Sequence, residues 1–551
     1  MSTSRSFGLL HHANLRRSPR MPRLPSGRWG AAALLVVAGT AAAQVVPPSE
    51  VIDRGTVGGT RPQATDVPPP AASVVTRDSA DLTYGVSLEG VLSDNFVLAD
   101  ESNEASGRSL ELTPYLEGYL RTAKSRGSLA LRLRGLWYDT GGTDDTQLSP
   151  DVKANGDFSV SGDALRMAGS AYVFRSNPSP FLATTVDPAA RGLETSLYRA
   201  YAISPYSIGR LGKAEYELRY RAQSIDPGGI TPSSVGHQVG GGLASSREAA
   251  GSLGWSTHAD VERISYEDDQ DLTRSNAEAL VHYRVSPTLR IGGGVNYSHV
   301  DVLQNADGDN SGFGPTALVN WRPTLRTSLT AKFADTYYGN ESSLRITHRR
   351  VRWLFGLSYA KGLQTGAESS LLYLDPNRIF LLDETSGADG EQLVRSLAER
   401  RVFGAAGREL AVGQTGSTLV FSESLILSIG WYRPRNSLAF SLFQNDQEPT
   451  GSSFGVGNSF DLVQRGVTFD ADHRLTPASS IFLSTQYNIS ESDQSGQDAR
   501  LASLALGWRT SFSRRMSVSL TFRTTRQSSE GDVPSFEYRE QAVIGVIDYR
   551  F

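Results

Sequence analysis

The residue types that could do chemistry in this chain are histidines, clustered carboxylates and many charged side chains at alternating positions. The sequence has eight histidines and no cysteine, so a thiolate metal site or a cysteine nucleophile is excluded. The HExxH motif and the phosphate-binding loop are both missing. We therefore expect a protein that is not an enzyme and that carries no cofactor. The histidines beyond the first twelve residues lie far apart, without metal-ligand spacing, at His237, His258, His282, His299, His348 and His473.

Two acidic stretches are the only candidates for cation binding. Asp307, Asp309 and Asn310 resemble the first half of a calcium loop, but the bidentate glutamate of the second half is missing. A second cluster lies at residues 267–271. Solvated turns are the simpler interpretation, and divalent ions that bridge lipopolysaccharide phosphates are the alternative. We predict no dedicated metal site.

The charged residues at alternating positions form the largest candidate set. Both signs occur among them, which argues against the single-sign ring of a strongly ion-selective pore. Arginine and carboxylate pairs along a wide channel would suit hydroxyl-rich sugars, and the same pairs could instead brace the wall. The predicted inward-facing residues are Glu111, Glu117, Arg132, Arg134, Arg166, Glu215, Glu217, Arg219, Arg221, Arg284, Lys332, Arg345 and Arg349.

The elements that would carry these residues are long strands with two different faces. In residues 129–134 three leucines alternate with Ala130, Arg132 and Arg134, and the same period recurs along the chain. Each stretch has the length of a tilted transmembrane strand, and short turns alternate with longer links. A soluble β-sandwich also alternates, but its core could not accommodate so many charges. The prediction is an all-β, antiparallel up-and-down transmembrane barrel of about 22 strands, with a range of about 18 to 24.

The N-terminal region has the pattern of an export signal followed by a spacer. Arginines precede the uncharged run AAALLVVAGTAAA, so residues 1–43 are predicted to be a signal peptide cut between Ala43 and Gln44, with Met1 or Met21 as the start. Residues 44–80 are rich in proline and predict a flexible periplasmic segment.

The predicted barrel spans residues 81–551. Residues 362–416 interrupt the strand rhythm as a long loop, and residues 389–403 within it have the spacing of a short amphipathic helix. That helix either constricts the pore or rests at the rim.

The last ten residues, AVIGVIDYRF, predict the closing strand of the barrel. Phe551, Tyr549 and Ile547 occupy the apolar phase, while Arg550 and Asp548 occupy the other. A terminal aromatic residue with this alternation resembles the signal that the barrel-assembly machinery reads. We place Phe551 and Tyr549 in the periplasmic aromatic girdle.

Several stretches resemble a known family. These are residues 92–102, 204–225, 321–365 and 431–443, with turns and wall aromatics such as SPYSIGRLGKAEYELRYRAQSI and WYRPRNSLAFSLF. They are similar to the outer-membrane β-barrel proteins associated with PEP-CTERM/exosortase systems, which are linked with exopolysaccharide loci. The resemblance implies an outer-membrane barrel with a role in surface polymer export, and it implies no role for any single residue.

The predicted location is the outer membrane of a Gram-negative cell. The predicted partners are outer-membrane lipid and lipopolysaccharide, the barrel-assembly machinery, polysaccharide and periplasmic export proteins. A net charge of −4 gives no basic surplus, so no nucleic-acid partner is expected. Three functions stay open: an export channel or accessory component for exopolysaccharide, a scaffold barrel without a transport path, and a general diffusion porin.

Overall fold

The fold is seen in a computed structural model of the chain. It describes residues 79–551 except for 97, 99–103, 123, 140–143, 162–163, 177–195, 227, 229–232, 246–251, 268–270, 303–308, 366–418, 450–460, 493–495 and 532–535. The predicted signal peptide, its cleavage site between Ala43 and Gln44, and the predicted helix at 389–403 lie outside these residues.

The described part of the chain consists of strands joined by turns and links, and it has no helix long and apolar enough to cross a membrane. The strands are β1 Ser79–Ser93, β2 Gly107–Arg121, β3 Ser125–Asp139, β4 Asp144–Ser161, β5 Leu165–Ser176, β6 Ser196–Leu211, β7 Ala214–Asp226, β8 Ser234–Ser245, β9 Leu253–Tyr266, β10 Asp271–Ser286, β11 Leu289–Val300, β12 Ser311–Thr324, β13 Thr327–Thr336, β14 Gly339–Arg350, β15 Trp353–Thr365, β16 Leu419–Tyr432, β17 Asn436–Pro449, β18 Leu462–Arg474, β19 Ser479–Ser492, β20 Gln497–Ser511, β21 Met516–Glu530 and β22 Phe536–Arg550.

Every strand pairs antiparallel with its neighbours in sequence, and β1 also pairs with β22. This last pairing runs from Gly85 opposite Arg550 to Ser93 opposite Ala542, and it closes the sheet into a barrel. The prediction of an antiparallel transmembrane barrel of about 22 strands is therefore confirmed.

The two ends of the barrel differ in the length of their connections. The end that carries both barrel termini has short turns, such as the two residues between Leu211 and Ala214 or between Ser286 and Leu289. We call it the short-turn end. The opposite end, here the long-link end, includes the link between Thr365 and Leu419. In bacterial outer-membrane barrels the short turns face the periplasm.

Some predicted links prove shorter than expected. The polar stretch DTGGTDDTQLSPD, residues 139–151, has the composition of a long connection, but β4 begins at Asp144. Its residues pair with β3 from that point, so most of the stretch is strand. Similarly, β15 continues to Thr365 and pairs with β16, so residues 362–365 belong to the wall rather than to the long loop. Polar composition suits an inner wall as well as a loop, which explains both differences.

The two faces of the sheet differ in chemistry and in exposure. Leu82, Leu88 and Leu92 of β1 alternate with Glu89, Val91 and Ser93, and the leucines are the more exposed. Side chains on the concave face of a closed sheet converge and shield one another, so the less exposed, polar phase is the inner face. The apolar phase forms the exterior, as expected for contact with lipid hydrocarbon.

The chain terminus is part of the seam that closes the barrel. The Phe551 N–H donates a hydrogen bond to the Tyr84 carbonyl oxygen at 3.0 Å. Its ring centroid lies 5.5 Å from that of Tyr84 and 5.3 Å from that of Tyr549. Phe551 therefore joins the first and last strands through both its backbone and its ring.

We predict that Phe551→Ser lowers the amount of assembled barrel, because it removes the ring contacts at the seam. Phe512 is a matched control, since it is similarly exposed but lies in the turn after β20. The measurement is the heat-modifiable fraction of the protein on gels of outer-membrane extracts. An equal loss of assembled barrel for Phe512→Ser would contradict a specific role of Phe551 at the seam.

Candidate functional site

The candidate functional surface is the inner face of the barrel. All of the residues predicted to face inward lie on the polar phase of their strands, and the register aligns these phases from one strand to the next. The structure gives an ion-pair partner to several of them, including Arg132, Arg134 and Arg166.

Ion pairs link neighbouring strands along the first part of the inner wall. Arg132 of β3 contacts Glu117 of β2 at 2.5 Å, and Arg134 contacts Asp151 of β4 at 3.5 Å and Glu111 at 3.9 Å. Glu111 is buried, and the other four residues are half-buried. Such geometry favours the bracing interpretation for Arg132 and Arg134.

The next group combines ion pairs with aromatic rings. Arg166 of β5 donates to Asp157 at 2.5 Å and to the Tyr206 hydroxyl at 2.9 Å. Arg219 of β7 donates to Glu217 at 3.0 Å, and its guanidinium lies 4.0 Å from the centroid of the Tyr206 ring. A guanidinium over a tyrosine face adds a cation–π contact to the ion pair.

The other predicted residues of this wall are less uniform. Glu215 accepts from Arg210 at 3.3 Å, and Lys332 of β13 pairs with Glu278 of β10 across two intervening strands. Arg221 lies opposite Gln238 of β8. The predicted set thus includes structural ion pairs and positions that pair with neutral residues.

Two ion pairs are buried almost completely, and the sequence did not single them out. Arg274 of β10 donates to Glu262 of β9 at 2.5 Å. Arg523 of β21 donates to both carboxylate oxygens of Glu540 in β22 at 3.0 Å, and both side chains are 0% exposed. Ser93 of β1 donates to the same carboxylate at 3.1 Å, so this cluster ties the closing seam together. The sequence alone does not predict this cluster, because the pairing register of β22 with β21 and β1 cannot be read from it.

Exposed ion pairs mark the long-link end of the exterior. Each joins residues at strand ends whose side chains lie on the outward phase. The pairs are Arg108–Asp139, Arg199–Asp226, Arg263–Asp271, Lys361–Glu423 and Arg526–Glu537.

Tryptophans mark the opposite, short-turn end of the exterior. Trp353 and Trp431 lie directly opposite each other on β15 and β16, with ring centroids 6.3 Å apart. Trp255, Trp321 and Trp508 lie at the same end of other strands. Interfacial tryptophans and charged residues flank the apolar band of transmembrane barrels. The tryptophans at one end and the exposed ion pairs at the other therefore bound the lipid-facing zone.

The inner wall from β16 to β21 carries mostly neutral hydrogen-bonding side chains. Hydroxyl and amide groups outnumber charges there, and the charges Asp472 and Arg509 contact each other at 3.5 Å. The predicted inward-facing set contains only charged residues, so it does not include this wall. Its members include Ser428, Ser441, Thr468, Ser484, Gln486, Asn488, Ser503, Thr521 and Thr525.

The inner lining becomes apolar towards the long-link end of β9 to β11. Ile264, Leu272 and Val300 are buried there. Tyr337, in the turn between β13 and β14, packs against this cluster and donates its hydroxyl to the Val300 carbonyl oxygen at 3.3 Å. Burial raises the pKa of the Tyr337 phenol to about 12, so it stays neutral at physiological pH.

Of the two acidic stretches, Asp307 and residues 268–270 lie outside the residues that the structure describes. Among the described residues, no group of three or more carboxylates or histidines has the placement to hold a metal ion. Asp271 of the second cluster instead pairs with Arg263.

We predict that Arg523→Leu destabilises the barrel by about 3–5 kcal/mol, because it leaves the Glu540 charge buried without its guanidinium. Arg526 is a matched control on the same strand. Its partner is Glu537, and the two side chains are 69% and 56% exposed. Arg526→Leu is expected to cost less than about 1 kcal/mol. Urea unfolding in lipid vesicles measures both values, and equal losses would contradict the inner-face assignment of Arg523.

Comparison with known proteins gives three-dimensional similarity only. No protein-family model and no curated protein matches the chain. The siderophore receptor PirA from Pseudomonas aeruginosa is similar at 12% identity, over 85% of this chain and 80% of that chain, with a TM-score of 0.39. A mutant of the ferric enterobactin receptor PfeA from the same organism is 11% identical, over 86% and 81%, with a TM-score of 0.45. The FrpB iron transporter from Neisseria meningitidis is 10% identical, over 86% and 83%, with a TM-score of 0.32.

Proposed function

We propose that the protein is an outer-membrane channel for the export of a hydroxyl-rich surface polymer such as an exopolysaccharide. The observation that carries this proposal is the neutral inner wall from β16 to β21. Serine, threonine, asparagine and glutamine side chains both donate and accept hydrogen bonds, which matches the hydroxyl groups of sugars. A wall of this kind holds a polymer through many weak contacts and lets it move.

The size of the barrel fits the same function. Barrel diameter grows with strand number, and barrels of about 16 to 18 strands already leave an aqueous channel. This barrel has 22 strands. The resemblance of residues 204–225 and 321–365 to barrels associated with PEP-CTERM/exosortase systems agrees with export of a surface polymer.

Orientation in the membrane follows from the ends of the barrel. The short-turn end would face the periplasm, with Trp353 and Trp431 at the inner leaflet, and the exposed ion pairs would lie at the level of lipopolysaccharide headgroups. A polymer would therefore enter at the short-turn end and leave at the long-link end.

We predict that dextran reduces the single-channel current at a lower concentration than polyethylene glycol of the same hydrodynamic radius. The reason is that dextran hydroxyls can donate and accept hydrogen bonds, whereas ether oxygens only accept. Planar-bilayer recordings with the purified barrel measure this difference. A stable conductance with equal block by both polymers would favour a general porin, and no conductance would favour a scaffold.

Substitutions on the neutral wall sharpen the experiment. Thr468 and Asn488 are half-buried on the inner faces of β18 and β19. Thr468→Val with Asn488→Leu should remove the preference for dextran while preserving the conductance. Thr485 of β19 lies on the lipid-facing phase, so Thr485→Val is the matched control and should keep the preference. Loss of preference in the control alone would overturn the assignment of the neutral wall.

A further inference from the structure

The short-turn end of the barrel is basic between β12 and β17. The turns between β12 and β13, β14 and β15, and β16 and β17 lie in residues 321–327, 350–353 and 431–436. Each of these stretches contains a tryptophan and none contains an aspartate or glutamate. Five exposed arginines lie in the turns or at the last strand residue before them, and we call them the basic rim: Arg326, Arg350, Arg352, Arg433 and Arg435.

The basic rim concentrates positive charge along one part of the barrel edge. Five inter-strand spacings of about 4.8 Å separate β12 from β17, so the rim extends over about 24 Å. Arginine stays charged at any physiological pH. A ligand for this edge must therefore be anionic, and it must be available where the edge lies.

The rim lies beside lipid-facing tryptophans. Arg350 of β14 is directly opposite Trp353 of β15, so the two side chains share the outer face of the sheet. The Arg433 guanidinium lies 5.2 Å from the centroid of the Trp431 ring, which is a cation–π contact on the same exterior. Arg350 and Arg433 are therefore on the membrane side of their turns.

The depth of the rim matches the headgroup layer of a bilayer. A bilayer is about 40–45 Å thick with its headgroups and about 30 Å thick without them, so each headgroup layer measures about 5–7 Å. Interfacial tryptophans lie at the level of the headgroups. Arg352 directly precedes Trp353, and Arg433 follows Trp431 by two residues, which is at most about 7 Å along an extended chain. The guanidinium groups are thus within reach of lipid phosphates.

Two of the three turns also present an apolar side chain at the tip. Leu325 is fully exposed, and Val351 is 85% exposed. Arg326 follows Leu325, and Arg350 and Arg352 flank Val351. Apolar residues next to cations are typical of segments that lie at the boundary between headgroups and acyl chains. An acidic soluble protein would match the arginines but not these apolar tips.

We infer that the basic rim binds anionic phospholipids of the leaflet at the short-turn end. In the proposed orientation this is the inner leaflet of the outer membrane. An arginine can hold a phosphate through two parallel hydrogen bonds, and basic residues at a membrane surface attract anionic lipids. A zwitterionic lipid has the same phosphate but no net charge, so it gains less from neighbouring guanidinium groups. This inference goes beyond the export proposal and does not depend on it.

The test is the lipid preference of the full-length protein in vesicles of phosphatidylglycerol and phosphatidylcholine. Brominated acyl chains are placed on one lipid at a time, and because bromine quenches tryptophan fluorescence on contact, quenching reports which lipid adjoins the tryptophans. The wild-type protein should prefer phosphatidylglycerol by at least about threefold at low ionic strength. Salt at 0.5 M should reduce this preference, because it screens exposed charges.

Substitutions then locate the preference on the rim. Arg350→Gln with Arg433→Gln should lower it at least about twofold, whereas Arg350→Lys with Arg433→Lys should keep most of it because the charge is preserved. Arg284 and Arg345 are the matched control, since both are exposed near the same end but lie on the inner face. Arg284→Gln with Arg345→Gln removes the same charge and should leave the lipid preference unchanged. The heat-modifiable fraction on gels confirms that each variant is folded.

Three results would overturn the inference. Equal quenching by the two lipids in the wild-type protein would do so and would favour an acidic soluble partner for the rim. An unchanged preference in the folded glutamine variant would also do so, as would an equal loss in the inner-face control. None of these results depends on polymer block, so the export proposal and the lipid inference can fail separately.

Discussion

The structure depends on the pairing of β1 with β22. Within hydrocarbon every backbone N–H and C=O must find a partner inside the protein, so an open sheet edge is not tolerated. The seam meets this constraint from Gly85 to Ser93 along one side and from Ala542 to Arg550 along the other. Once the sheet is closed, it has one face towards lipid and one towards the lumen, and each side chain is assigned to one of them by its phase.

Closure explains why charges of the same type behave differently. Arg523 and Arg526 are three residues apart, yet one lies at a fully buried ion pair on the inner face and the other at an exposed pair on the exterior. The exposed pairs contribute little to stability and mark a boundary, whereas the buried pairs connect strands and penalise the loss of either partner.

The alternating pattern was sufficient to predict the architecture and the phase of the inner residues. Period two identifies a strand and its two faces, as at Arg132 and Arg134, and it needs no knowledge of neighbours. The alternating pattern does not predict which residues of neighbouring strands contact each other. The pairing of Arg523 with Glu540 depends on register, and a shift of one residue would have moved these side chains to the opposite face. Link lengths failed for a related reason, since the polar residues after Asp144 suit an inner wall as well as a loop.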